Sequence, residues 1–339
     1  MGAVASQVQP AVTIIYQVAG RTLSVNAPDS ATANATDRFL SELRLVRITR
    51  NHSGSQSVTL RISAAKSELP RTIGPGVVSD EVSYYYNGES YIVRIGDSLV
   101  SADASPVVNV DLAEDLDRDS FLFQRVLIYG LAAALRRAGA FELQCAAVID
   151  PHTAVSALII GPSGSGKSTL ALQLASAGWN FSTDDVVLLT AQNDLVEAYG
   201  LRRHFAVTSE TIVKSGLAQL DSVLNQTPGA DSKFYFCPQD FFPSGHVNKC
   251  VPELLIFPSR AGDPDSRIKN ISQAEVMNRL LKMCPWALID MPTARGFLDV
   301  LGKLAKQSAA FDLFAGTDLL GNPQYTNQFF ASIVRQQAV

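Results

Sequence analysis

The sequence predicts an α/β protein in which a core with a mixed sheet and flanking helices is preceded by a smaller, β-rich N-terminal domain. Two observations carry this prediction. Short alternating segments of β-forming residues, separated by Gly- and Ser-containing loops, fill the first hundred positions. Further along, apolar strand-like segments alternate with longer helix-like ones. We expect the β-rich domain over residues 1–110 and the core over residues 111–339.

The β-rich prediction depends on turn signals between alternating segments. Residues 12–18 and 22–25 flank a short Gly-containing turn, as two strands flank a hairpin loop. The strongest signal is Asn87-Gly88, which separates residues 82–86 from residues 91–95. Asn-Gly between β-forming segments favours a type I′ hairpin, because both residues tolerate positive φ. These segments therefore predict antiparallel strand pairs.

The predicted core opens with a helix over residues 117–137, which has acids at its start and Gly139 just past its end. Residues 227–249 are rich in Pro, Gly and Phe and are predicted to form a long excursion, a type of segment that often carries function. The other predicted strands cover residues 141–149, 155–160, 179–182, 186–189, 195–199, 253–257 and 310–315, and the other predicted helices cover residues 169–177, 272–283 and 293–306.

The strand predicted over residues 155–160 leads directly into a glycine-rich loop. Its sequence matches the phosphate-binding pattern G-x-x-x-x-G-K-[ST] and consists of Gly161, Pro162, Ser163, Gly164, Ser165, Gly166, Lys167, Ser168 and Thr169. The glycines let backbone N–H groups turn towards phosphate oxygens. Lys167 is expected to reach the β- and γ-phosphates, and the Ser168 hydroxyl to ligate Mg²⁺. A chance match in a surface loop is the alternative, which the strand before the loop and the helix after it disfavour. The chain is therefore predicted to bind a nucleoside triphosphate.

Two adjacent carboxylates, Asp184 and Asp185, interrupt an otherwise apolar pair of predicted strands. They follow Lys167 by 17 and 18 positions, so the strand end that carries them can point back at the γ-phosphate. Phosphoryl transfer needs one carboxylate at the attacking hydroxyl and another for Mg²⁺. We assign Asp184 to the hydroxyl and Asp185 to the metal, and the reverse order stays open. A solvated Asp-Asp turn is the alternative interpretation.

Three arginines, Arg202, Arg203 and Arg260, are candidates for stabilising the transferred charge. A guanidinium suits this role because two of its N–H groups bind phosphate oxygens together. The alternative for each of them is a surface arginine with an acidic neighbour. The sequence leaves both interpretations open.

Several of these segments, taken in order, resemble the HPr kinase/phosphorylase superfamily, bacterial serine kinases related in fold to ATP-dependent phosphoenolpyruvate carboxykinase. Residues 154–167 look like the family's strand and phosphate loop, and residues 182–187 are similar to its Asp-Asp-Val segment. Residues 196–200 resemble its Glu-x-x-Gly signature, which would make Glu197 a Mg²⁺ ligand. Residues 253–260 resemble its later strand and arginine.

The resemblance covers roughly residues 141–283 and implies a P-loop kinase core of the HPr kinase C-terminal type. It also implies an ATP- and Mg²⁺-dependent kinase that transfers the γ-phosphate to a hydroxyl, with a Ser of a small protein or peptide as the acceptor. A small-molecule hydroxyl is an alternative acceptor, and a nucleotide-dependent switch or ATPase without an acceptor is the alternative activity. One departure is Gln144, where the family usually has a His. Glutamine cannot shuttle a proton, so the resemblance does not extend to chemistry that needs this His.

The composition excludes some classes of partner. The chain of 339 residues has a formal net charge of −4 and no block of Lys or Arg, so neither nucleic-acid nor membrane binding is expected. Its cysteines lack the paired spacing of a metal site or a disulfide framework, and we find no secretory signal, so a cytoplasmic protein is expected. The role of the β-rich domain stays open between substrate recognition, formation of a homo-oligomer and coverage of the sheet.

Overall fold

The computed structural model describes residues 11–49, 56–64, 69, 77–79, 82–86, 89–229, 231–242, 245–260 and 262–337, without the side chains of residues 77–79 and 337. The protein has an α/β structure with mixed sheets and several helices. Contacts between residues divide the chain into two units, Met1–Ala140 with Trp286–Arg295 and Phe141–Pro285 with Gly296–Val339. The first unit is therefore built from two separate stretches of the chain.

Most of the first unit is a sheet that mixes parallel and antiparallel pairs. Its elements before residue 141 are β1 (Val12–Val18), β2 (Arg21–Ala27), α1 (Ser30–Glu42), β3 (Val46–Ile48), β4 (Ser57–Ser63), β5 (Val77–Ser79), β6 (Val82–Tyr86), β7 (Tyr91–Ile95), β8 (Ser98–Ala102), β9 (Val107–Asp111) and α2 (Phe121–Arg137). The described strands lie in the order β3-β1-β2-β4-β9-β8-β7-β6-β5. β4 pairs in parallel with β2 and with β9, and the other neighbours are antiparallel.

Both strand pairs that turn signals predict are present. β1 and β2 pair antiparallel across Ala19 and Gly20, which both have positive φ. β6 and β7 also pair antiparallel, and the Asn87-Gly88 turn itself lies outside the described residues. Helix α1 is not among the predicted elements, because its Ser, Thr, Asn and Asp residues are weak helix formers. It is capped by Asp29, whose side chain accepts a hydrogen bond of 2.7 Å from the N–H of Thr32.

Helix α2 belongs to the first unit. It begins later than the sequence predicts, because Ser120 caps its first turn through the side-chain hydroxyl. The helix packs closely on the sheet: a Cβ added at Gly130 would lie 2.7 Å from a methyl group of Val110 in β9. The division of the chain by contacts falls after residue 140, whereas the boundary expected from the sequence lies after residue 110.

The second unit holds the segments that the sequence associates with phosphate binding. The elements from residue 141 onward are β10 (Phe141–Ile149), β11 (Ser156–Ile160), α3 (Lys167–Ser176), β12 (Asn180–Thr183), β13 (Val186–Gln192), β14 (Leu195–Gly200), β15 (Phe205–Val207), α4 (Ser209–Ser215), β16 (Phe234–Phe236), β17 (Lys249–Cys250), β18 (Pro252–Arg260), β19 (Arg267–Asn270), α5 (Gln273–Met283), α6 (Trp286–Ile289), α7 (Met291–Gln307), β20 (Ala309–Ala315) and α8 (Pro323–Gln337). Of these, α6 and the start of α7 belong to the first unit. Short 3₁₀ helices cover Ala218–Asn225, Pro238–Asp240 and Thr317–Leu319.

The main sheet of the second unit has the described order β17-β14-β13-β10-β11-β18-β20-β19, and β12 also pairs with β10. β18 runs parallel to β11 and to β20, so these three strands end at the same edge. The loop 161–166, Arg260 and Gly316 lie at that edge. β10 is antiparallel to β11 with Cys145 opposite Ile160, and it therefore begins at the same edge. In α/β sheets the crevice outside the carboxyl ends of the strands is the usual place for a ligand.

In the described part of the chain, no helix is both long enough and apolar enough to cross a membrane.

Two arginines at the end of α2 share one buried carboxylate in the first unit. An oxygen of Asp290 lies 2.8 Å from Nε of Arg136 and 3.0 Å from Nη1 of Arg137. The Arg136 guanidinium also lies 4.4 Å from the ring centre of Trp286 and donates a hydrogen bond of 2.7 Å to the hydroxyl of Tyr91. Cations over aromatic rings and charge-assisted hydrogen bonds both gain strength away from water. This cluster therefore ties residues 286–295 to the rest of the first unit.

We expect Asp290→Asn to destabilise the first unit by about 3–5 kcal/mol, because it leaves two buried guanidinium groups without their counter-ion. Chemical denaturation followed by circular dichroism measures the loss. The matched control is Asp97→Asn, which removes the partner of Arg94 from a pair whose carboxylate is 83% exposed. That change is expected to cost no more than about 0.5 kcal/mol. Equal losses in the two variants would contradict the role given to the cluster.

Candidate functional site

The glycine-rich loop connects β11 to α3 in a conformation that requires its glycines. Gly164 and Gly166 have φ of 80° and 101°, a region that residues with a Cβ avoid. A Cβ at Gly161 would lie 2.7 Å from the Ser165 hydroxyl. Gly166 caps α3, whose first residue is Lys167. The first N–H groups of a helix have no partner within the helix and favour an anion. The loop and the start of α3 therefore form a candidate anion site.

The side chain of Lys167 contacts the backbone of the loop that precedes it. Its Nζ donates hydrogen bonds to the carbonyl oxygens of Gly161 at 2.8 Å and Pro162 at 3.0 Å. Burial lowers the pKa of Lys167, and the negative charges of Asp185 and Asp184 oppose this shift. The lysine is thus positioned by the backbone of the loop, with two carboxylates close enough to act on its charge.

Asp184 lies in the bend between β12 and β13 and is almost fully buried, with 1% of its surface exposed. Its Oδ2 accepts a hydrogen bond of 3.3 Å from the backbone N–H of Ala206. Its Oδ1 is buried and makes no hydrogen bond within the described part of the chain. Burial, and then the charge of Asp185, raise the pKa of Asp184 to about 7, although the N–H of Ala206 and the hydroxyl of Ser168 act in the other direction. This carboxyl group therefore changes its charge near neutral pH.

Asp185 has a different environment from its neighbour. Its carboxylate is 24% exposed and lies 3.2 Å from Nε of Arg202. Its backbone carbonyl accepts a hydrogen bond of 2.9 Å from the N–H of Cys145 in β10. The Asp-Asp pair is thus not a solvated turn, because one member is buried and the other is held by an arginine. Adjacent carboxylates in unlike environments can take different chemical roles.

The loop, Lys167 and both aspartates line one open cavity of about 230 Å³. Gln144, at the start of β10, and Lys233, in the excursion between β15 and β17, line it as well. The predicted residues in its wall are Ser163, Gly164, Gly166, Lys167, Ser168, Thr169, Asp184, Asp185 and Arg260. The cavity thus joins segments that are more than 90 positions apart in the sequence, from Lys167 to Arg260.

Three of the predicted loop residues lie outside this wall. Gly161 and Pro162 instead present their carbonyl groups to Lys167. Ser165 lines a second cavity beside the first, and its hydroxyl is buried without a hydrogen bond within the described residues. Arg260 does reach the wall, but its side chain is 62% exposed and its distance to the carboxylate of Glu210 is 3.9 Å. That position fits both interpretations that the sequence leaves open for this arginine.

Glu197, which the resemblance suggests as a Mg²⁺ ligand, is not in the wall of the cavity. It lies within β14, and its carboxylate binds Nζ of Lys249 at 2.5 Å and the hydroxyl of Tyr199 at 2.7 Å. Burial raises the pKa of Glu197, but the bonds from Lys249 and Tyr199 outweigh it, so the pKa lies below its usual value. The structure therefore does not bring Glu197 together with Asp184 and Asp185.

Several lining residues come from a part of the chain for which the sequence shows no clear signal. The short helix α4 contributes Glu210, Thr211 and Lys214, and its cap Thr208 also lines the cavity. Glu210 and Lys214 form an ion pair with each other. A helix of seven residues has too few turns for a periodic pattern to show. The local signals available were Thr208 before the helix and Gly216 at its end.

The donors in this cavity fit Mg²⁺ bound together with phosphate. Within the described residues, no cluster of three or more His, Cys, Asp or Glu side chains could hold a metal ion by itself. The cavity does offer Ser168, Asp185 and the unbonded Oδ1 of Asp184, all of which are oxygen donors. Mg²⁺ usually binds through one or two carboxylates, water and substrate phosphates. These three oxygen donors therefore suit a metal ion that binds together with a nucleotide.

Comparisons with known proteins add little to this geometry. No protein-family model matches the chain, and no curated protein matches it. Among solved structures, the HPr(Ser) kinase/phosphatase from Coxiella burnetii is similar over 58% of this chain and 95% of its own, with 13% sequence identity and a TM-score of 0.31. A similarity at this level supports no conclusion about activity.

We expect Asp184→Asn to change how stability depends on pH. The pKa of Asp184 is about 7 in the folded protein against an ordinary value of 3.8. Between pH 4 and pH 7 the unfolded chain therefore loses a proton that the folded protein retains, so this group lowers stability as the pH rises. The asparagine variant lacks this loss. The unfolding free energy of the variant minus that of the wild type should therefore increase as the pH rises from 4 to 8, by on the order of 4 kcal/mol at most.

Thermal unfolding across this pH range measures the difference. The control is Asp194→Asn, which makes the same substitution in the exposed turn between β13 and β14. A difference for Asp184→Asn that stays constant from pH 4 to pH 8 would show that the buried carboxyl has an ordinary pKa.

Proposed function

We propose that the protein is an ATP- and Mg²⁺-dependent kinase that transfers the γ-phosphate to a hydroxyl group, with a core of the HPr kinase C-terminal type. The observation that carries the proposal is the cavity in which the glycine-rich loop, Lys167 and Asp184 occur together. The loop supplies anion binding, the lysine supplies positive charge, and a buried carboxyl supplies a proton acceptor. Those are the parts that phosphoryl transfer requires.

Asp184 is the residue that we assign to the acceptor hydroxyl. In the proposed reaction its carboxylate accepts the hydroxyl proton as the acceptor oxygen bonds to the γ-phosphorus and the bond from that phosphorus to ADP breaks. A base works best when its pKa is near the working pH. The pKa of Asp184, about 7, meets this condition.

The remaining groups act on charge. Lys167 lies where it can neutralise the phosphate oxygens, and Ser168 and Asp185 are the side chains that we assign to Mg²⁺. Held there, the metal would offset the negative charge that develops during transfer. Nε of Arg202 lies 3.2 Å from the carboxylate of Asp185. We leave Glu197 out of the metal site, because Lys249 and Tyr199 already bind its carboxylate.

For the acceptor we propose a Ser side chain of a small protein or peptide, as the resemblance of residues 154–167 and 182–187 suggests. Lys233 extends from the long excursion into the cavity wall and is the described residue that we assign to contact with this acceptor. Gln144 lines the same wall as a neutral group, so we assign it no proton transfer.

We expect Asp184→Asn to lower phosphate transfer by about 10²–10⁴-fold, because the proton acceptor is lost while the phosphate site remains. Binding of ATP should persist in this variant and should be lost in Lys167→Ala. The measurement is labelling of Ser-containing peptides and of a cell extract with γ-labelled ATP, followed by phosphoamino-acid analysis. Asp194→Asn is the control and should transfer phosphate as the wild type does.

The pH profile gives a second readout. Transfer by the wild type should rise with pH and level off above about 7, since the ionised form of Asp184 is the active one. ATP hydrolysis without any labelled acceptor in peptides or extract would reject the kinase and favour a nucleotide-dependent switch. Labelling of small molecules alone would reject the protein acceptor but retain the kinase.

A further inference from the structure

A second cavity, of about 190 Å³, adjoins the phosphate loop. It opens at the edge where β18 and β20 end, and Gly262 and Gly316 just beyond those strands line it. The residues that line both cavities are Gly166, Thr169, Lys214 and Arg260. A ligand with its phosphates on the loop would therefore extend into the second cavity without leaving the protein surface.

The walls of the second cavity are mostly apolar. Leu170 of α3 forms one side, and Leu319 and Leu320 after β20 form the other. Gly316 lets this side approach closely, because a Cβ there would lie 2.7 Å from the carbonyl oxygen of Pro264. Of its three charged lining residues, Lys214 and Arg260 are shared with the phosphate cavity and Asp263 is not. A flat, weakly polar group suits such walls better than a further phosphate does.

One buried polar side chain in the cavity wall has an unused donor. Gln173 of α3 has no exposed surface, and its Oε1 accepts hydrogen bonds of 3.1 Å from the N–H of Asn322 and from the hydroxyl of Thr326. A backbone N–H can only donate, so this contact fixes which end of the amide is oxygen. The Nε2 group is then left buried without a hydrogen bond within the described residues. An unsatisfied buried donor is costly, and a ligand that accepts its proton would remove that cost.

We propose that this second cavity holds the nucleobase of the triphosphate and that Nε2 of Gln173 donates a hydrogen bond to a ring nitrogen or carbonyl oxygen of the base. The proposal rests on the proposed function, since the phosphate loop must hold the phosphates of the same ligand. Leu320 then packs against the face of the base. The shared residues Gly166 and Thr169 lie between the base and the phosphates.

The test compares two ligands that share phosphates but differ in the base. Isothermal titration calorimetry measures the dissociation constants of Mg·ATP and of Mg·tripolyphosphate for the full chain. We expect ATP to bind at least tenfold more tightly than tripolyphosphate, because burial of the base adds apolar contact and one hydrogen bond.

Two variants then localise the gain. Gln173→Met removes the Nε2 donor with a side chain of similar length, and it should weaken ATP by about tenfold. Leu320→Ala trims a side chain that is 46% exposed, so folding is not at risk, and it should weaken ATP by about threefold. Neither variant should change the affinity for tripolyphosphate. The control is Leu195→Ala, which trims a leucine that is 54% exposed and lines neither cavity, and it should change neither affinity.

The outcomes separate this inference from the proposed function. If tripolyphosphate binds but ATP binds no more tightly, the phosphate site stands and the base site is overturned. If both variants weaken the two ligands equally, they act through the fold of the loop, and the base site is again overturned. If neither ligand binds, the nucleotide-dependent function itself fails.

Discussion

The position of β10 between its neighbours sets the geometry of the candidate site. On one side it pairs with β11, which leads into the phosphate loop, and on the other with β12 and β13, whose connecting bend is Asp184 and Asp185. The register puts Cys145 opposite Ile160, and the N–H of the same Cys145 binds the carbonyl of Asp185. One strand therefore fixes the distance between the anion site and the carboxylates. A slip of one residue in this pairing would turn every side chain to the other face of the sheet.

The burial of Asp184 links stability to the proposed chemistry. A carboxyl group away from water and beside a second carboxyl holds its proton more strongly than one in solution. The same desolvation that lowers the stability of the ionised protein makes the group a stronger base once it is ionised. Such local conflicts between folding and charge are frequent at functional sites.

Local chemistry made part of this site predictable from the sequence. The glycines at 161, 164 and 166 predict a loop that only glycines can form. The apolar strand before the loop can likewise be predicted from neighbouring residues. The separation of Lys167 and Asp184 in the sequence corresponds to one helix, one turn and one short strand. The sequence could not show that α4 would bring Lys214 to the cavity, because a short helix leaves little periodic pattern. Nor could it show that Lys249 lies beside Glu197, since that pairing depends on β17 reaching β14.

The discontinuous first unit has a consequence for how the chain is made. Its segment 286–295 is synthesised after some 145 residues of the second unit, yet it carries the carboxylate that neutralises Arg136 and Arg137. During synthesis the two guanidinium groups therefore lack their counter-ion until Asp290 has been added. The first unit cannot reach its final packing before the second is largely synthesised. A fragment that ends near residue 140 would lack Asp290 altogether. Dissection of this protein at the apparent boundary would yield an incomplete piece, and residues 286–295 would have to be supplied as a linked or added peptide.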